Sequence, residues 1–198
     1  MNRFRTALSL LSIGVGLLPT ASAAEHAITI RNVRSGAAVL RQQGRLTILE
    51  IESRAGSPQR VALSHPSDYR QGTNAPYEAH LVAESPNQFL IITDTFASNP
   101  GNIQGHCGAS EPGERFIHVV ALGAIPHETL SVLIDSCLLD LEPTSQSPEW
   151  IAKPDSAGFI GRIILSFERS TQPTAVYYVS PDGAVTRPQT DPSAPKLH

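Results

Sequence analysis

Two cysteines, Cys107 and Cys137, are the only thiols in the chain. A nucleophilic cysteine needs a base held about 3 Å from its sulfur, and in a strand the adjacent His106 would point to the opposite face. Two cysteines without a CxxC or HxxxH neighbour also do not make a zinc site. An even pair in an oxidising compartment is typical of a disulfide. We therefore predict a structural Cys107–Cys137 disulfide, with two free buried thiols as the alternative.

Residues suited to acid–base or metal chemistry are spread along the chain. The seven histidines are far apart in sequence, and we predict from this no metal site and no cofactor; they are His26, His65, His80, His106, His118, His127 and His198. Asp94 and Asp135 each follow an apolar run, and either one could form a site with His118. No esterase elbow, P-loop, HExxH or dinucleotide-binding motif is present, so we predict no catalytic residue.

The segment 98–114, SNPGNIQGHCGASEPGE, is the most unusual part of the sequence. Loops this long in a compact domain are uncommon and are often functional. A disulfide at Cys107 would lower the entropy cost of presenting the segment to a partner. A tryptophan in a second, proline-flanked loop is the other candidate, because tryptophan is enriched at binding hot spots. We predict a binding surface that consists of Asn102, Gln104, His106, Ser110, Glu111, Glu114 and Trp150. The alternative is an inert connection.

Residues 1–23 have the three parts of a secretory signal. Arg3 and Arg5 precede an apolar run from Ala7 to Leu18, and the small residues 21–23 (Ala-Ser-Ala) follow it. The run is too short to cross a bilayer of about 30 Å. We predict cleavage between Ala23 and Ala24 and a periplasmic or secreted protein.

The charge of the chain limits its partners. Fifteen basic and 18 acidic residues give a net charge of −3, and removal of the two arginines in the leader leaves 13 − 18 = −5. This balance excludes a basic nucleic-acid binder. It favours a basic protein partner, through steering more than through affinity. No later apolar stretch is long enough for a transmembrane segment.

The elements that must position these residues are β-strands. Alternating apolar and polar residues predict ten strands: 27–33, 45–52, 59–65, 77–83, 88–96, 115–122, 129–134, 160–168, 174–180 and 184–187. On 115–122 one face would carry Phe116, His118, Val120 and Leu122. A short helix over 126–139 is the alternative to a strand there. The sequence Ser-Pro-Asp-Gly at 180–183 predicts a tight turn.

These patterns predict an all-β fold: a single antiparallel β-sandwich or small barrel over residues 24–187, stapled by one disulfide, with a disordered tail over 188–198. For function they favour an exported noncatalytic binding protein, an inhibitor or immunity-type protein directed against a cell-wall-degrading or toxic enzyme. A periplasmic hydrolase whose site is built from His118, Asp94 or Asp135 is one alternative. A structural envelope component is another.

Overall fold

The computed structural model describes residues 26–34, 36–44, 46–52, 57–65, 76–97, 113–137, 139, 141–168 and 175–187. In these residues the chain forms strands and no helix. The strands are β1 (Ala27–Ile30), β2 (Ala38–Gln43), β3 (Leu46–Ile51), β4 (Gln59–Leu63), β5 (Glu78–Ser85), β6 (Phe89–Phe96), β7 (Glu114–Ala121), β8 (His127–Asp135), β9 (Glu149–Ile151), β10 (Gly161–Leu165), β11 (Ala175–Val179) and β12 (Val185–Thr186). The predicted all-β class is confirmed.

Three antiparallel meanders follow one another along the chain. Sheet I contains β1 to β4, sheet II contains β5 to β8 and sheet III contains β9 to β12, and each strand pairs with the next. The predicted turn between β11 and β12 is present: the Gly183 amide donates to the Ser180 carbonyl at 3.0 Å. Gly183 has φ = 83°, a conformation that glycine adopts without a steric penalty.

Sheet II lies between the other two sheets. Leu90 and Ile92 of β6 share one buried cluster with sheet I, whereas Phe89 and Ile91 share a second cluster with sheet III. Every residue of β6 is buried. Strands that are buried on both faces have nearly continuous apolar sequences rather than alternating ones. A two-layer sandwich would cover only one face of such a strand, and the third layer covers the other.

The architecture therefore corrects the sandwich-or-barrel prediction to three stacked, open sheets, none of which closes into a barrel in the described residues. The possible helix over 126–139 is also wrong, because β8 occupies most of this range and pairs with β7. Phe116, His118, Val120 and Leu122 are buried as predicted, but Ile117 and Val119 on the opposite face of β7 are buried too, because both faces of the strand are covered.

Several predictions fall outside the described residues. They are the leader at 1–23, the cleavage site at Ala23 and Ala24, and the tail at 188–198. Cys137 follows β8, but Cys107 is not among the described residues, so the disulfide stays a prediction. No helix in the described part of the chain has the length and apolar character that a membrane span requires.

Candidate functional site

Four ionisable side chains meet between sheet I and sheet II. Asp94 lies on β6, His118 on β7 and Glu128 on β8, while His65 follows the end of β4. We call His65, Asp94, His118 and Glu128 the buried quartet. They come together because Asp94 and His118 belong to the face of sheet II that is covered by sheet I, along with Ile92 and Val120.

A β-bulge helps to place Glu128. The pairing of β7 with β8 shifts register between Val119 and Val120, so that Val120 pairs with Glu128 and His118 pairs with Ser131. A bulge re-aims the side chains that follow it. Here it accompanies a glutamate that reaches the imidazole of His118 from the neighbouring strand.

Hydrogen bonds connect the quartet in a continuous chain. Asp94 Oδ2 accepts from His65 Nε2 at 2.9 Å, and Asp94 Oδ1 accepts from His118 Nε2 at 3.1 Å. The second ring nitrogen of His118, Nδ1, donates to Glu128 Oε1 at 2.7 Å. The other oxygen of Glu128 accepts from the Ser64 amide at 2.9 Å. The chain thus begins and ends in the segment that follows β4.

Apolar rings enclose the quartet. The ring of His65 makes edge contacts with Phe96 at 4.7 Å and with Phe116 at 4.8 Å between centroids. The side chains of His65, Asp94 and His118 are fully buried, and that of Glu128 is 10% exposed. Buried charges are tolerated only when they are paired and hydrogen-bonded, and these groups satisfy that condition with one another.

The geometry requires that His118 carries two protons. Each of its ring nitrogens faces a carboxylate oxygen, and an ionised carboxylate only accepts hydrogen bonds. Burial alone would lower the pKa of His118, but the charge of Asp94 and the hydrogen bonds to Asp94 and Glu128 outweigh it and raise the pKa to about 9. Burial likewise opposes ionisation of Asp94, yet His118 and His65 hold the pKa of that carboxyl well below its usual range.

Three members of the quartet are also suited to binding a metal ion. One ligand atom from each of His65, Asp94 and His118 lies within 4.8 Å of the others. The histidines were expected to be scattered, but His65 and His118 have ring centroids only 4.9 Å apart.

The residues predicted to bind a partner do not meet at this site. Asn102, Gln104, His106, Cys107, Ser110 and Glu111 lie outside the described residues. Glu114 is the first residue of β7 and is only 1% exposed, so it offers no surface to a partner. Trp150 belongs to β9 rather than to a loop, and its half-buried ring contacts Phe89 at 5.9 Å.

The hydrolase alternative named three residues, and the structure brings two of them together. Asp94 and His118 are hydrogen-bonded, whereas Asp135 lies at the end of β8 in an ion pair with Arg115 at 3.2 Å. Sequence reasoning missed His65 and Glu128. The alternation on β4 contained a signal for His65, because Val61 and Leu63 are buried and a residue two positions further lies on the same face.

A concave surface lies apart from the quartet. It is lined by residues of β1, the segment that follows it, and Glu52. Its charged groups are Arg31, Arg34 and Glu52. Among the described residues that line it there is no histidine, so these residues form no acid–base pair of the kind found in the buried quartet.

Comparison of the chain with protein-family models, with curated proteins and with solved structures finds no significant match.

Proposed function

We propose that the protein is an exported, noncatalytic binding protein, of the inhibitor or immunity type, that acts on a basic partner such as a cell-wall-degrading or toxic enzyme. The observation that carries the proposal is the burial of the quartet. A general acid or base must come within hydrogen-bond reach of a substrate. The side chains of His65, Asp94 and His118 have no exposed surface and donate to or accept from one another.

The structure supports a rigid base for the segment that we propose as the binding surface. Phe96 and Glu114 pair directly at the ends of β6 and β7, so residues 97–113 leave and re-enter sheet II at one place. At Gly113 a Cβ atom would lie 1.6 Å from the Phe96 carbonyl oxygen. This close approach of two backbones, next to the phenyl ring that packs on His65, fixes the point from which the segment departs.

Three further features of the proposal rest on the sequence. Residues 1–23 direct export. A Cys107–Cys137 disulfide holds the middle of the segment, and in agreement with this the described residues contain no free cysteine. The mature net charge of −5, from 13 basic and 18 acidic groups, favours encounter with a basic surface. Glu111 is the acidic residue of the segment that remains for this role, because Glu114 is buried.

The hydrolase alternative has one observation in its favour, the hydrogen bond between His118 and Asp94. A base oriented by a carboxylate is a common catalytic arrangement. In this structure, however, both nitrogens of His118 are bound to carboxylates, so no lone pair remains to take a proton.

Affinity capture with the exported full-length protein, followed by titration calorimetry on any captured partner, tests the proposal. We expect one partner of high isoelectric point, bound at one-to-one stoichiometry. Glu111→Lys should weaken binding at least tenfold, whereas Glu78→Lys, at an exposed position of β5, should not. The double variant Cys107→Ser, Cys137→Ser should also bind more weakly.

The proposal is wrong if micromolar bait captures no partner and the protein instead turns over a substrate in a screen of cell-wall and ester substrates. Loss of that turnover in His118→Gln would then establish the hydrolase. Concentration-dependent self-association without a partner would point to the envelope component.

A further inference from the structure

We propose that the buried quartet is a binding site for one divalent transition-metal ion, zinc being the best match, which fastens sheet I to sheet II. The ligands are His65 Nε2, the Asp94 carboxylate and His118 Nε2. Glu128 is a positioning residue that orients the ring of His118. This inference is independent of the proposed binding function.

The spacing of the candidate ligand atoms suits a single ion. The two imidazole nitrogens lie 2.9 and 3.1 Å from the two oxygens of Asp94, and the ligand atoms of all three residues lie within 4.8 Å of one another. Zinc binds imidazole nitrogen and carboxylate oxygen at about 2.0–2.2 Å, which places neighbouring ligand atoms about 3–3.5 Å apart. The two nitrogen–oxygen distances already match these values, whereas the widest separation, up to 4.8 Å, must shorten by roughly 1–2 Å to admit the ion.

The outer contacts of His118 are those of a metal ligand. A histidine that binds a metal through one nitrogen almost always donates the other N–H to a carboxylate or carbonyl, which fixes the orientation of the ring. His118 Nδ1 donates to Glu128 Oε1 at 2.7 Å. Glu128 is itself held by the Ser64 amide at 2.9 Å. This supporting arrangement is separate from the three ligands and points to the same ion.

The charges of the cluster also favour a divalent cation. Without an ion, two carboxylates and the His118 imidazolium sum to −1 when His65 is neutral. With a divalent ion and two neutral imidazoles, the two carboxylates are balanced and the sum is zero. A neutral assembly is preferred at a site of this kind, where three side chains are fully buried and Glu128 is only 10% exposed. Binding releases one proton to solvent, that of His118 Nε2, while the single proton of His65 moves from Nε2 to Nδ1, so both imidazoles are neutral and no oxidation state changes.

Imidazole together with carboxylate identifies the class of metal. Imidazole ligands suit zinc and the later first-row divalent ions, whereas magnesium and calcium prefer oxygen ligands alone. Because His65 follows a strand of sheet I and the other ligands belong to sheet II, the ion would link the two layers beneath the base of the 97–113 segment. Metal-binding energy at such a site contributes directly to folding.

The test uses the exported full-length protein, freed of metal with a chelator and then dialysed. We expect ZnCl2 to bind at one equivalent with submicromolar Kd and to raise Tm by several degrees, and MgCl2 to do neither. Calorimetry in buffers of different ionisation enthalpy should show proton release on zinc binding. Co²⁺ should give a visible absorption band from ligation by nitrogen and oxygen.

Variants separate this site from adventitious binding. His65→Gln should weaken zinc binding at least a hundredfold, and Glu128→Gln should weaken it about 10–100-fold through loss of ring orientation. The matched control is His80→Gln, which removes an exposed histidine paired with Glu78 at 2.8 Å and should change nothing.

Circular dichroism of each metal-free variant identifies any variant that fails to fold. If His65→Gln does not fold, zinc binding by Glu128→Gln still tests the site, because the Glu128 side chain reaches the surface and its substitution disturbs the core less. The inference is overturned if folded wild-type protein binds no zinc at 100 µM, a concentration on the order of a hundred times the expected upper Kd. It is also overturned if His65→Gln binds zinc as tightly as wild type, or if His80→Gln abolishes binding.

Discussion

Substitution of Asp94 by asparagine should cost about 3 kcal/mol of unfolding free energy in the metal-free protein. The change keeps the shape of the side chain but removes its charge. Asp94 accepts one hydrogen bond on each oxygen, from His65 and from His118. Asparagine has a single acceptor oxygen, so its NH2 group would face the N–H of one imidazole, and the His118 imidazolium would retain only Glu128.

The magnitude follows from the burial of the charges. The pKa of His118 rises from 6.5 to about 9, a shift that corresponds to roughly 3 kcal/mol of preference for the charged form. Removal of one partner from a buried ion pair costs about 3–5 kcal/mol in other proteins. For a chain of this length, each kcal/mol lowers Tm by about 2–4 °C, so Asp94→Asn should melt about 6–12 °C lower.

The assay is urea unfolding at neutral pH with a chelator present, with the slope of the transition compared between variants. The matched control is Glu78→Gln, which breaks a carboxylate–histidine pair of similar length, 2.8 Å, whose side chains are 50% and 62% exposed. Exposed pairs contribute about 0–1 kcal/mol. A loss below about 1 kcal/mol for Asp94→Asn, or one no larger than that of Glu78→Gln, would refute the reasoning.

Three further predictions concern stability. Phe89→Ala should lower the free energy of unfolding by about 3–5 kcal/mol in urea, because Phe89 is 1% exposed between sheets II and III. The control Ile125→Ala, at an 81% exposed position, should lower it by less than about 0.5 kcal/mol. Gly36→Ala should lower Tm and cost at least about 1–3 kcal/mol of unfolding free energy, because φ is 148° and a Cβ atom would lie 1.8 Å from the Glu52 carbonyl oxygen. The control is Gly123→Ala, where a Cβ atom meets nothing within 4 Å. Equal stability of the two variants would contradict this prediction. Burial raises the pKa of Asp135 above 3.8, Arg115 opposes the rise, and Glu114 and Glu142 add to it. The folded protein therefore holds this proton more tightly than the unfolded chain, and its contribution to stability falls as pH rises from about 4 through the folded pKa. Asp135→Asn should remove this fall of stability with pH in urea titrations between pH 4 and 7. If the pH dependence of stability is unchanged in the variant, the assignment of the fall to Asp135 is wrong.

The local features of the fold were predictable because they depend on neighbouring residues. Alternation over β7 predicted that Phe116 and His118 face the core, and both are buried, although Ile117 between them is buried against the other core. The Ser180–Gly183 turn followed from proline and glycine at fixed positions. In each case the period of the strand or the allowed φ of a residue decides the outcome.

The number of layers was less accessible. The apolar run from Phe89 to Ile92 indicates a strand buried on both faces, yet nothing in the sequence states which sheets cover them. The covering of each face depends on how the three meanders stack. Sheet I and sheet II share the first buried cluster, and sheet II and sheet III share the second. A two-layer prediction follows naturally when strand alternation is the only guide.

The sequence by itself indicated ten of the twelve strands, the Ser180–Gly183 turn and the inward direction of His118, because side-chain alternation is a property of the local backbone. It did not indicate β2 or β9, and it did not assign Asp94 to the same inward face as His118. Only the tertiary structure decided that these two residues meet His65 and Glu128. His65 and Asp94 are 29 positions apart in the chain and belong to different sheets. Their contact arises from the packing of one layer on another, and the hydrophobic burial that drives this packing is not directional. The quartet is therefore a product of the stacked sheets rather than of any motif.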